Sequence, residues 1–197
     1  MSHLTLANQL TILRIVLVPA FVLLLVYERR GAALIVFVVA GLTDALDGLA
    51  ARLAGQRTSI GAWLDPVADK LLLVTTFIVL TLPAIPLTNR LPVWLTVLVI
   101  SRDVVIVAFV AVVNLATGPR TFRPSFLGKT ATATFIVTTV VILFFNYLER
   151  TSWLIDAGIW ASLGLTLASS VDYFFRVRRL VNERPEPIPA HDTRASG

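Results

Sequence analysis

Six apolar stretches alternate with short polar connections along this chain. They run from Leu10 to Val26, Ala32 to Ala51, Ile60 to Leu82, Val93 to Leu115, Leu127 to Leu148 and Leu154 to Phe175. Each approaches or exceeds the roughly 18–20 residues that carry an α-helix across bilayer hydrocarbon. The connections hold breakers or charge: Glu28-Arg29-Arg30-Gly31, Gly55-Gln56-Arg57, Pro83 to Pro92, and Thr117-Gly118-Pro119-Arg120. Backbone groups in lipid must be satisfied within their own segment, so the stretches are expected as helices. The pattern predicts an all-α, polytopic membrane protein. Its expected architecture is a six-transmembrane-helix bundle with a polar cavity facing the cytoplasm, formed by residues 1–181. Residues 182–197 contain three prolines and few apolar side chains, and are expected as a disordered tail.

Composition agrees with the pattern. Hydrophobic residues make up 56% of the 197 and charged residues 15%, and the mean hydropathy is +0.82. The first stretch is read as a span rather than a signal peptide, because Arg14 lies within it and no small-residue cleavage site follows. The absence of cysteine excludes disulfides and thiol chemistry. The net charge of +5 points to membrane topology and anionic headgroups, not to nucleic acid. With a cytoplasmic N-terminus, the inner connections and tail hold Arg52, Arg57, Arg120, Arg123, Lys129, Arg176, Arg178, Arg179, Arg184 and Arg194. The outer ones hold Arg29, Arg30, Arg90 and Arg150. This asymmetry predicts both termini inside, and the expected location is a bacterial-type inner or cell membrane.

Four aspartates break the second and third stretches. They lie in Asp44-Ala-Leu-Asp47-Gly48-Leu-Ala-Ala51-Arg52 and Gly61-Ala-Trp-Leu-Asp65-Pro-Val-Ala-Asp69. A carboxylate in so apolar a setting costs roughly several kcal/mol unless it is paired or holds a cation. Residues three or four apart share a helix face, so Asp44 pairs with Asp47 and Asp65 with Asp69. The short connection makes the two helices antiparallel, which lets the pairs face each other. An all-oxygen site of this kind suits hard cations such as Mg²⁺ or Mn²⁺, and two ions are plausible. Gly48 and Gly61 allow a ligand close to the backbone, and Arg52 lies on the face of Gly48 with a fork that fits phosphate.

The eight defining positions from Asp44 to Asp69 form D-x-x-D-G-x-x-A-R, eight residues, then G-x-x-x-D-x-x-x-D. This resembles the signature of the CDP-alcohol phosphatidyltransferases, and the likeness extends from about Asn8 to Phe175. The resemblance implies that Asp44, Asp47, Asp65 and Asp69 ligate the metals and that Asp69 is also the general base. It implies CDP-lipid contacts from Asn8, Thr11, Gly48, Ala51, Arg52, Thr58 and Gly61. The implied reaction is attack of an alcohol on the β-phosphorus of CDP-diacylglycerol with release of CMP. A homodimer is expected on the resemblance alone. Asn8 and Thr11 have a second reading as helix caps, and Thr58 one as a turn residue.

A later polar set bears on the acceptor. Ser101-Arg102-Asp103 interrupts the fourth stretch, and Gly128-Lys129 opens the fifth. Arg102 and Lys129, with Arg120 and Arg123, are expected to hold an acceptor phosphate; a structural ion pair and topology markers are the alternatives. The glycerophosphate-using branch resembles this pattern but has a glutamate after the arginine and a further arginine eight residues on. Here those positions are Asp103 and Val110. Pro86-Leu87-Thr88 with Ile100 to Val104, and Arg123 to Lys129, look closer to cardiolipin synthases of the CDP-alcohol type. The favoured acceptor is therefore phosphatidylglycerol, with glycerol-3-phosphate (the phosphatidylglycerophosphate synthase reaction) as the alternative. A different class, an ion or proton transporter using the same aspartates, would need neither nucleotide nor alcohol. His3 and His191 lie in the two termini and are not expected as ligands.

Overall fold

The computed structural model describes residues 6–54, 61–117 and 126–182. These fold into six helices: α1 (Leu6–Val26), α2 (Arg30–Ala54), α3 (Gly61–Thr81), α4 (Val93–Thr117), α5 (Phe126–Tyr147) and α6 (Trp153–Asn182). No strand occurs among the described residues. The all-α expectation and the placement of all six helices hold, with shifted ends. α1 starts four residues before the expected Leu10. Asn8 and Thr11 therefore lie inside the helix rather than at its cap. α6 runs seven residues past Phe175, so Arg176, Arg178 and Arg179 continue the helix and Asn182 is still helical. The remaining residues of the expected tail lie outside the described ones.

Packing closes on itself. α1 contacts α2 and α3, α2 contacts α5, α5 contacts α6, α6 contacts α4, and α4 contacts α3. The ring order is thus α1, α2, α5, α6, α4, α3. Phe77 of α3 and Phe135 of α5 meet across it edge to face, with centroids 5.4 Å apart. Phe21, Leu25, Phe37, Leu80, Leu95, Ile142 and Leu143 complete the buried core. The outer faces are apolar as well: Val16, Leu23, Ile35, Val104, Val107 and Phe174 are exposed. Thr76, Thr139, Ser162, Thr166 and Ser169 are buried instead. Hydroxyls inside a bundle need partners, and several bond carbonyls one turn back, as Thr76 does to Leu72 at 2.8 Å and Thr166 to Ser162 at 2.7 Å. Among the described residues, α5 and the Trp153–Phe175 part of α6 are long and apolar enough to cross a membrane.

The end of the bundle that holds the α1–α2, α3–α4 and α5–α6 connections is tied together by polar contacts. α1 and α5 end alike. Glu28 N–H bonds Leu25 C=O and Arg29 N–H bonds Leu24 C=O; Glu149 and Arg150 do the same to Asn146 and Phe145. This double bond pattern puts the penultimate residue in the left-handed region, and Glu28 (φ 58°) and Glu149 (φ 53°) occupy it without being glycine. Both carboxylates reach toward Arg30, Glu149 at 2.7 Å and Glu28 at 3.9 Å, while Arg30 also donates to the Pro86 carbonyl at 2.8 Å. Beside them, buried Asn146 accepts from the Asn89 backbone N–H at 2.8 Å and donates to its C=O at 2.9 Å. The Asn89 side chain donates to the Arg150 carbonyl at 2.7 Å. The long α3–α4 connection is thereby pinned to the end of α5.

α5 and α6 approach closely because Gly158 offers no side chain. A Cβ there would sit 2.8 Å from Oγ1 and 2.9 Å from Cγ2 of Thr138. Gly158→Ala is expected to destabilise the protein by about 1–3 kcal/mol through overpacking, read as a lower thermal midpoint in detergent. Adding Thr138→Ala removes the two closest atoms and should recover most of the loss. Asn146→Leu strands a buried N–H and a buried C=O of Asn89, and is expected to cost roughly 2–4 kcal/mol in the same measurement.

Candidate active site

The eight motif positions fall on two helices joined by one short connection. Asp44, Asp47, Gly48, Ala51 and Arg52 belong to the last three turns of α2. Gly61, Asp65 and Asp69 belong to the first three turns of α3. The helical backbone gives the aspartates of each pair the expected spacing of three or four residues. Both helices pack on α1, whose first turns carry Asn8 and Thr11. The side chains of these ten residues lie outside what is described. So do Thr58, Arg120 and Arg123 altogether. Among the described residues there is no group of three acids or histidines that would hold a metal.

The later polar set is described in atomic detail. Arg102, on α4, has a side chain only 13% exposed, and Asp103 one that is 21% exposed. Arg102 Nη1 donates to Asp103 Oδ1 at 2.9 Å, and Nη2 donates to the hydroxyl of Ser169 on α6. Arg102 Nε is buried with no hydrogen-bond partner among the described residues. The Arg102–Ser169 link is one rung of a parallel α4–α6 contact. Its other rungs are Trp94 with Trp160, centroids 6.2 Å apart, and Phe109 with Tyr173, 5.8 Å apart and edge to face.

Arg102 and Asp103 line a small cleft of about 20 Å³ between α3, α4 and α5. Its remaining walls are Leu73, Val74 and Phe77 of α3, Val99 and Ile100 of α4, and Thr132 and Phe135 of α5. That volume admits about one water-sized group. Leu73 lies four residues after Asp69 on α3, one turn or about 6 Å along the axis. The cleft is therefore one helical turn deeper in the bundle than the last aspartate of the motif. Lys129 is exposed in the first turn of α5 and does not line the cleft; Thr132, one turn on, does. Val110 also lies on α4, two turns beyond Arg102.

Ser169 and Thr132 were not singled out by sequence reasoning. The available signal was periodicity: Gly158, Ser162, Thr166 and Ser169 recur at spacings of four, four and three on an otherwise apolar helix. Such a stripe marks a buried face, and Ser162, Thr166 and Ser169 are all buried. Nothing in the stripe alone tells that Ser169 faces an arginine while Ser162 faces Thr138.

This chain, whose described residues form six helices with four acids divided between two neighbouring helix ends, matches the CDP-alcohol phosphatidyltransferase family model over residues 4–168. The chain belongs to that family. A human protein named cardiolipin synthase (CMP-forming) is 34% identical over 194 residues, covering 89% of this chain and 62% of the human one. This chain thus spans less than two thirds of that relative's length. A Mycobacterium tuberculosis protein named "Probable phosphatidylglycerophosphate synthase" is 36% identical over 181 residues, 88% of this chain and 82% of the relative. A Streptomyces coelicolor cardiolipin synthase (CMP-forming) is 31% identical over 191 residues, 90% and 85% of the two chains.

Proposed function

We propose that this protein is an integral membrane enzyme that transfers the phosphatidyl group of CDP-diacylglycerol to phosphatidylglycerol, forming cardiolipin and releasing CMP. The observation that carries this reading is the complete eight-position motif, set on the adjoining ends of α2 and α3 in a chain of the phosphatidyltransferase family. All six helices span the membrane in this reading, with both termini cytoplasmic. Apolar outer faces around a core that contains buried hydroxyls support it, because lipid replaces water as the outer solvent. The short connection between α2 and α3 then lies on the cytoplasmic side and opens the site to soluble nucleotide. Two copies would associate, as the family resemblance implies.

Asp44, Asp47, Asp65 and Asp69 would hold one or two Mg²⁺ or Mn²⁺ ions, whose all-oxygen preference fits four carboxylates. Bound there, the metal supplies charge stabilisation at the pyrophosphate. Arg52 forks onto a phosphate of the CDP group, while Gly48 and Gly61 let the nucleotide approach the backbone. Asn8, Thr11, Ala51 and Thr58 border the same nucleotide. Asp69 takes the proton of the acceptor hydroxyl as that oxygen bonds to the β-phosphorus, and the bond from that phosphorus to the CMP oxygen breaks. Arg102 stands one turn deeper, where an acceptor's own phosphate would lie, and Lys129, Arg120 and Arg123 would add positive charge for that phosphate. The names of the relatives divide between two acceptors. The neutralised Arg102–Asp103 pair and the apolar Val110 favour the less charged one, phosphatidylglycerol, over glycerol-3-phosphate.

Purified protein with labelled CDP-diacylglycerol, Mg²⁺ or Mn²⁺ and a panel of alcohols is expected to release CMP and form cardiolipin from phosphatidylglycerol. A chelator should abolish turnover and added metal restore it. Asp69→Asn is expected to lower turnover by about 100-fold or more while membrane insertion and thermal midpoint stay near those of the parent. Phosphatidylglycerophosphate as the main product would replace the acceptor assignment. No CMP release with any alcohol, joined to ion flux in protein-containing liposomes, would overturn the enzyme reading in favour of transport.

A further inference from the structure

We propose that the seam between α3 and α4 carries the acyl chains of a lipid acceptor, so that this substrate reaches its site sideways from the bilayer. The proposal rests on the phosphatidyltransferase reading, with the acceptor's phosphate at Arg102. Such an acceptor has a charged headgroup inside the bundle and chains that belong in lipid, so a gap between helices has to let the chains out. The cleft that Arg102, Asp103 and Thr132 line has α3, α4 and α5 as its walls. On the α5 side it is closed where Phe77 meets Phe135 edge to face. Toward α6 it is closed by three contacts spread along α4: Trp94 with Trp160, Arg102 with Ser169, and Phe109 with Tyr173. The end toward the aspartates leads to the nucleotide. The side that remains is the one between α3 and α4.

That seam is tied near the α3–α4 connection. Thr81 and Thr96 share a hydroxyl hydrogen bond of 2.6 Å, and Leu91 N–H bonds Leu80 C=O at 3.0 Å. Seven residues back along α3 from Thr81 is Val74, and seven on along α4 from Thr96 is Asp103; both line the cleft. At that level the two helices enclose a space rather than a hydrogen-bonded contact. The rim of this space turns directly into an outer face. Val74 and Ile100 line the cleft and are half-buried. Ile78, one turn from Val74, and Val104, one turn from Ile100, are exposed. Residues four apart share a helix face, so each wall runs without a break from the cleft to the apolar surface. Exposed Val97 extends the α4 wall away from the end that carries the aspartates, which is the direction the chains of a cytoplasmic-leaflet lipid take. A polar inner end joined to an apolar outer face complements a phospholipid, with its phosphate at one end and its chains at the other. Glycerol-3-phosphate has no chain to place there, so the seam ties the acceptor to the lipid class.

The test measures kcat and KM of the purified full-length protein with CDP-diacylglycerol and two acceptors: dioleoyl phosphatidylglycerol, and glycerophosphoglycerol, the same headgroup without chains. Ile78→Trp and Val104→Trp put a bulky ring at the mouth from opposite helices, and both positions are exposed, so the core is left alone. Each is expected to raise KM for phosphatidylglycerol by about tenfold, as losing roughly two methylenes of apolar contact would. Values of kcat, and KM for glycerophosphoglycerol and CDP-diacylglycerol, should stay near those of the parent. Val16→Trp, on the outer face of α1, should change none of them. A second measurement uses the parent alone: phosphatidylglycerol with a diazirine on one acyl chain should label residues 74–78 and 100–104 on photolysis. Excess unlabelled phosphatidylglycerol should displace that label, and phosphatidylcholine should not. A raised KM for CDP-diacylglycerol instead would give the seam to the donor's chains and overturn the proposal. Loss of self-association, with both acceptors slowed alike, would make the seam a contact between two copies and overturn it too, as would unchanged KM values without displaceable label. A parent that prefers glycerol-3-phosphate would overturn it while leaving the phosphatidyltransferase reading standing. A parent that releases no CMP with any acceptor would remove that reading as well.

Discussion

A charge inside an apolar bundle has to bring its partner with it, and this requirement organises the protein. Arg102 is nearly enclosed by α3, α4, α5 and α6, and the residue beside it in sequence supplies the counter-charge. Arg30, near the opposite end, is answered by two glutamates that occupy the left-handed positions closing α1 and α5. Removing one member of a nearly buried pair leaves an uncompensated charge and costs far more than the pair contributes. Part of the remaining polar demand inside the ring is met by hydroxyls bonded to their own helices and by the Asn89–Asn146 pair. The four aspartates of the motif belong to the same economy of charge. Two helix ends that carry four carboxylates against Arg52 and Lys70 have a deficit of positive charge, which is the physical reason to expect cations there.

The sequence made the helices legible because each is a long apolar run bounded by breakers, and six runs became six helices. It was less informative about their ends. α1 begins at Leu6 and α6 continues to Asn182, where polar residues still favour helix although they are too polar to read as a membrane segment. That difference separates Asn8 and Thr11 from a capping role, since both lie inside the helix. The ring order was not legible at all. Nearly uniform apolar faces give little preference for one neighbour over another, so the partners are chosen by small residues and polar contacts that periodicity does not rank. Gly158 against Thr138 is one such choice, and Asn146 beneath the α3–α4 connection is another.

The candidate site was legible to different degrees for a related reason. The aspartate motif is local in sequence, so spacing alone put its members on adjoining ends of two helices. Arg102 and Asp103 were also visible, as charges in an apolar stretch. What spacing could not supply was the third partner, because Ser169 lies 67 residues away on a helix that is not adjacent in the chain. Lys129 shows the converse. Its neighbourhood in sequence suggested membership of an anion site, yet it is the residue one turn later, Thr132, that reaches the cleft.

Ser169 differs from the other hydroxyls of its stripe in a way that bears on function. Ser162 and Thr138 satisfy each other at 3.3 Å, and Thr166 bonds back to its own helix. Those contacts are closed, and their chemistry ends within the α5–α6 seam. Ser169 accepts from a cation of another helix and in doing so helps orient a guanidinium whose Nε is left without a partner among the described residues. A purely structural arginine in an apolar bundle would be most stable with every donor used. Ser169 and Asp103 together restrain the guanidinium without exhausting it. An arginine held in that way lies beside a one-atom cleft whose α3 wall begins one helical turn after Asp69.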